Sequence, residues 1–303
     1  MLKSLKPSFM VCMVMITLFA FCQVAGQAEE EPVILSQLSP RDGEWWLALC
    51  ADGQGGFYAL TNKTLHRWQT GDVQTTIVSI TDGLGLTEIA CRGDQIYGYA
   101  GADGLYRYDQ GEWSLLGVPP WCDTKSGDDA QGPVFLEGGL TLGKDRLFFF
   151  STDFNQELHF LSSYDLVTKQ FSVDPHPIFS RRWIAYDEAN DRLIGTVSLS
   201  PDGDNYLASI DYKTNQIIHI NEKPFEGEIR GFDPASRMTF SVSYAGAMLG
   251  NNTDNQKVIL GTPKKLSLAA RLDSQYIVFV SPAYGGQAEK LCLLRYDPDA
   301  WQP

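Results

Sequence analysis

Between Thr81 and Gly117 the chain reads TDGLGLTEIACRGDQIYGYAGADGLYRYDQGEWSLLG, short apolar runs separated by Gly- and Asp-containing turns. This pattern predicts strands at Leu86–Cys91, Ile96–Ala100, Leu105–Tyr108 and Trp113–Leu116, with turns at 92–94 and 101–104. The runs are apolar on both strand faces, so a sheet built from them cannot satisfy itself. It has to stack on further copies.

Copies are present. Leu47–Leu60 matches Glu88–Ala100, and the same shape returns at Leu140–Ser151, Ile184–Val197, Arg230–Val242 and Ala270–Val280. Each is a short strand, a polar turn with Asp or Gly, and an apolar strand. A second landmark follows each copy: Leu65–Trp68, Leu105–Asp109, Leu161–Asp165, Leu207–Asp211, Val258–Leu260 and Leu293–Asp297. The spacing is roughly 35 to 55 residues, against ~40–50 for one blade of a propeller. Six such units predict an all-β fold, a six-bladed β-propeller of four-stranded antiparallel blades. A β-sandwich with irregular hairpins is the competing arrangement. After the N-terminal segment no window keeps a 3.6-residue apolar period, so helix should be scarce. The last unit supplies three strands, at 267–272, 276–280 and 291–296. Val33–Leu38 has no partner in the first unit and is expected to complete the last one, closing the ring and removing its open edges.

The Thr81–Gly117 unit resembles the blade repeat of the two-component-regulator type of propeller. Asp82-Gly83-Leu84 matches the Gly-Leu pair that leads a strand, and Gly104-Leu105-Tyr106-Arg107-Tyr108-Asp109 matches the closing run. The first unit matches in part, while later units keep only the strand rhythm. The resemblance implies the fold. It leaves function open between sensor, binding platform and enzyme scaffold.

The first residues, MLKSLKPSFMVCMVMITLFAFCQVAGQA, place Lys3 and Lys6 before an apolar run from Phe9 to Phe21 and small residues after it. That order predicts a secretory signal over 1–28 and a single domain over 29–303. The mature chain is then secreted, with a bacterial source expected and no stable membrane insertion. Cys22 offers a lipid-anchored alternative, which the bulky Phe21 before it opposes. Losing 1–28 removes two lysines and no acids, taking the net charge from −13 to about −15. Such a surface repels phosphate backbones and argues against nucleic-acid binding. Cys50, Cys91, Cys122 and Cys292 remain. Cys50 and Cys91 fill the same slot of neighbouring units, where a free thiol serves as a small apolar residue. The two are expected to sit too far apart for a disulfide. No Cys-x-x-Cys pair or Cys/His cluster suggests zinc.

The candidate ligand-binding residues come from connecting segments. The longest interruption of the repeat, Val118–Val134, carries Trp121 and Asp123, a ring and a carboxylate suited to a sugar or peptide. The segment before the fourth unit carries His176, Arg181 and Arg182, which could grip a carboxylate or sulfate or pair with Glu226 and Glu228. Trp45 and Trp46 lead into the first unit, and strand alternation buries one and exposes the other. The run Ser200-Pro-Asp202-Gly-Asp204-Asn205 starts like a calcium loop but lacks the downstream glutamate, and it reads equally as a hairpin turn. No cofactor is otherwise expected.

No Gly-x-Ser-x-Gly elbow and no metal-binding His pair occur. His66, His159 and His219 fall in predicted strands, where structural roles are commoner. The sequence therefore points to a monomeric, non-catalytic binding module for an extracellular glycan or protein, using Trp45, Trp121, Asp123, His176, Arg181, Arg182 and Glu228. The alternative is a metal-dependent hydrolase, lactonase or lyase with its site at the central channel. A sensor or adaptor module from a longer chain is a third reading.

Overall fold

The computed structural model describes residues 33–72, 74–120, 135–136, 139–153, 158–173, 183–198, 203–233, 236–251, 254–259, 262–266, 268–281 and 289–296. The expected signal segment lies outside them. In chain order the strands are β1 (Val33–Leu38), then β2 (Trp46–Ala51), β3 (Phe57–Thr61), β4 (Thr64–Trp68) and β5 (Thr76–Ile80) of the first blade. The second blade holds β6 (Glu88–Arg92), β7 (Gln95–Tyr99), β8 (Leu105–Asp109) and β9 (Glu112–Gly117). In the third, the inner strand comes in two pieces, β10 (Phe135–Leu136) and β11 (Thr141–Leu142), followed by β12 (Arg146–Asp153), β13 (Leu158–Asp165) and β14 (Phe171–Val173). The fourth has β15 (Ala185–Asp187), β16 (Arg192–Ser198), β17 (Asn205–Asp211) and β18 (Gln216–Pro224). The fifth has β19 (Glu228–Asp233), β20 (Met238–Ser243), β21 (Gly246–Gly250) and β22 (Lys257–Val258). The last three strands are β23 (Ala269–Arg271), β24 (Tyr276–Ser281) and β25 (Lys290–Arg295).

Pairing is antiparallel within each blade, and the first strands of neighbouring blades approach one another around a central axis. The outer strand of the sixth sheet comes from the other end of the chain: β1 pairs with β25, Val33 opposite Arg295 and Leu38 opposite Leu291.

The apolar runs explain the stacking. Phe148, Phe149 and Phe150 are consecutive and all buried. Alternation sends Phe149 to the cluster shared with the second blade, among Tyr97, Tyr99 and Leu105, and sends Phe148 and Phe150 to the fourth, against Leu193 and Ile210. The sixth sheet repeats the rule. Ile277 and Phe279 pack on the fifth blade, while Val278 and Val280 meet Trp46, Phe57 and Trp68 of the first. Each blade thus buries both faces of its second strand, which is why β3, β7, β16, β20 and β24 lack a polar side. At the corner of the first blade, a Cβ on Gly56 would come within 2.5 Å of Asp52 Oδ2 and 2.7 Å of the Trp68 carbonyl, so glycine is required there.

One landmark needs correction. Val258–Leu260 is not the third strand of the fifth blade. That strand is β21, and Lys257–Val258 is the short outer one. Gly246 and Gly250 bracket β21 and no aromatic residue closes it, so it lacks the signature of its counterparts.

Candidate functional site: the loop-face mouth of the channel

The two ends of the ring differ. One face carries the tight turns between first and second strands; the other, the loop face, carries the connections between blades and between second and third strands. Three inner strands bring charged or aromatic residues to the loop face. Glu88 is the first residue of β6, Glu228 the first of β19, and Trp183 stands just before β15. Arg230 follows two residues after Glu228, at the register shift between Ile229 and Gly231.

Arg230 organises the cluster. Its Nη2 donates to Glu228 Oε2 at 3.0 Å, and its guanidinium carbon lies 3.6 Å from the centroid of the Trp183 ring. A cation held flat on an indole face and bonded to a carboxylate is fixed in orientation. Burial holds Arg230 below the usual arginine range, with Glu88 and Glu228 working against that. Glu88 belongs to the second blade and Arg230 to the fifth, so their interaction crosses the axis. Burial raises the Glu88 carboxyl to about 7. The Arg230 charge opposes the rise, Glu228 adds to it, and a bond from the Gly139 N–H opposes it. A group that changes charge near neutrality therefore stands in the channel, facing an arginine.

Glu228 also lines an open cleft of about 540 Å³ between the fourth, fifth and sixth blades. Asp204, Asn205, Glu226, Tyr244 and Lys265 share its wall. Tyr244 is 70% exposed, and Lys265 Nζ lies 5.1 Å from its ring centroid. Gly227, at φ +105°, turns the chain from Glu226 into β19; a Cβ there would meet the Val242 carbonyl at 2.8 Å. Gln256 Nε2 donates to the Glu226 carbonyl at 2.6 Å and holds the turn from outside.

Of the residues expected from the sequence, Glu228 is at this site. It is bonded to Arg230, which the sequence pattern does not single out. Trp45 is on the same face but does not line the cleft. It is 54% exposed, against 4% for Trp46, as strand alternation requires, and its backbone N–H donates to Asn62 Oδ1 at 3.0 Å. Trp121, Asp123, His176, Arg181 and Arg182 lie outside the described residues, as does Asp202 of the calcium-like run. Among the described residues, no group of three or more His, Cys, Asp or Glu side chains gathers to hold a metal ion. His66 has a structural role: its ring nitrogens contact Thr64 Oγ1 at 2.8 Å and Thr75 Oγ1 at 3.2 Å, and burial lowers its pKa. The missed residues, Glu88, Trp183, Arg230 and Tyr244, carried one faint signal. Glu88 and Arg230 are charged where the aligned copies begin with Leu, Ile or Ala.

The fold and this arrangement define the class: a six-bladed β-propeller with a charged channel mouth opening into a lateral cleft. No family model matches the sequence, and no curated protein matches it. Solved structures do. A calcium-binding protein, regucalcin, from Agrobacterium tumefaciens aligns over 87% of this chain and 93% of its own, with 12% identity and a TM-score of 0.54. TolB from Acinetobacter baumannii aligns over 86% and 67%, with 12% identity and a TM-score of 0.55. An oligogalacturonate lyase in complex with manganese aligns over 85% and 90%, with 12% identity and a TM-score of 0.50. At this identity the likeness shows the fold alone.

Proposed function

We propose that this chain is a secreted, non-catalytic binding module whose loop-face cleft holds an extracellular glycan. The observation that carries the reading is the wall of that cleft. Tyr244 offers an exposed ring for stacking on a sugar face, and Asp204, Asn205, Glu226 and Glu228 offer acceptors for hydroxyl or amine protons. Three carboxylates against one lysine give the wall a net negative charge, so neutral or amine-bearing sugars suit it and uronates do not. Titration calorimetry with glucosamine, glucose and galacturonate oligomers tests the reading. Binding should follow that order and disappear in Tyr244→Ala. Tight galacturonate binding that survives the substitution would refute it.

Glu88 supports a second reading, an enzyme acting at the channel. A carboxyl raised to about 7 and faced by Arg230 has the pKa wanted of a general acid or base at neutral pH. Turnover of a bound sugar that is lost in Glu88→Gln would favour it.

A further inference from the structure

Cys50 in β2 and Cys91 in β6 occupy equivalent slots on adjacent inner strands. The expectation that they sit too far apart to bridge is overturned. The Cys91 N–H donates to Cys50 Sγ at 2.8 Å, and the Cys50 thiol points to the Cys91 carbonyl at 3.8 Å. In the other direction, the Cys91 thiol donates to the Ala51 carbonyl at 3.2 Å. Each sulfur therefore lies against the other's strand, in one shared gap. With an N–Cα bond of about 1.46 Å, a sulfur 2.8 Å from its partner's amide nitrogen keeps the two Cα atoms within about the 7 Å that a disulfide spans. Both residues are free cysteines, half-buried between the two strands.

We infer that Cys50 and Cys91 form a disulfide that staples the first blade to the second when the chain meets an oxidising disulfide. The site lies on sheets that do not line the ligand cleft, so it stands independently of the glycan reading. Burial pushes the Cys91 thiol up and disfavours its thiolate. The Cys50 thiolate attacks a small-molecule disulfide and releases one thiolate, leaving a mixed disulfide on Cys50. That thiolate takes the Cys91 proton. The Cys91 sulfur then attacks the Cys50 sulfur, closes the bond and expels the second thiolate. Two electrons and two protons pass to the oxidant, which is reduced to two thiols.

The test uses the full chain, reduced, incubated with oxidised glutathione and then blocked with N-ethylmaleimide in denaturant. Intact mass should fall by two hydrogen atoms, two fewer thiols should react, and one peptide pair should join Cys50 to Cys91. The melting temperature should rise, then return after dithiothreitol. Cys292→Ser should change none of this. Cys91→Ser should leave a glutathione adduct on Cys50 and no internal bridge. Cys50 and Cys91 both remaining maleimide-reactive, or a linked peptide joining Cys50 to Cys122 or Cys292, would overturn the inference. Should a variant fail to fold, peptide mapping of the unaltered chain alone still separates these outcomes.

Discussion

The two faces of the ring use their carboxylates differently. On the turn face Asp52 and Asp273 are bonded to their own turns. Asp52 Oδ1 accepts from the N–H groups of Gln54 and Gly56, and Asp273 Oδ1 accepts from those of Gln275 and Tyr276. Asp191 Oδ1 takes the hydroxyls of Tyr186 at 2.6 Å and Tyr212 at 2.8 Å, and its other oxygen meets Lys213. Bonds from Lys213 and Tyr186 hold Asp191 down at about 2. On the loop face, Glu88 is instead pushed up to about 7, and Glu228 lines a cleft open to a ligand. These turn-face acids hold corners; Glu228 stands in a cleft where a solute can meet it.

Both faces are built on the same ring of blades, so disrupting that ring should have the most severe effect. We read the β1–β25 pairing as its closure, and deleting residues 29–40 should sharply lower soluble yield and melting temperature. An unchanged melting curve would contradict this.

Glu88 should give the next largest effect. Its folded-state pKa lies above the ordinary 4.5, so the folded chain holds this proton more tightly than the unfolded one. The stabilisation is complete below pH 4.5 and is lost as pH rises through about 7. The difference amounts to up to about 3 kcal/mol. Denaturant titrations across this range should show the loss in the unaltered chain and a flatter profile in Glu88→Gln. Asp191 has the opposite sign. Its contribution is present above the ordinary carboxylate pKa and fades as pH falls toward about 2, and solvent exposure keeps it small.

Asp52→Ala probes the turn face in the same way. Two backbone N–H groups lose their acceptor, and about 1–3 kcal/mol of stability should go. Ligand affinity should not change. Tyr244→Ala should do the reverse, moving stability by less than about 0.5 kcal/mol while removing binding. Equal losses of stability and binding in both variants would erase the distinction between the faces.

Much of the architecture is legible in the sequence because blade stacking leaves a local signature. Strands buried on both faces show as unbroken apolar runs such as Leu147–Phe150, and the Gly–Asp corners between them punctuate the chain. Legibility fails at β21, where small residues replace the aromatic landmark. It fails more widely at the site. Arg230 and Glu88 stand well over a hundred residues apart and meet only because opposite blades face one axis. Tyr244 reads as any turn residue would; its role comes from the cleft beside it. The Cys50–Cys91 distance is hidden for a related reason. Spacing along the chain says that the slots are equivalent, but not how closely two inner strands converge.

Hydrogen–deuterium exchange with a glucosamine oligomer would show where on the ring a ligand sits. Protection confined to 203–205, 224–228, 243–244 and 265–266 is the result expected if the cleft holds it. Protection at the turn-face corners 52–56 and 187–190, with none around Glu228 and Tyr244, would contradict the division of labour between the two faces.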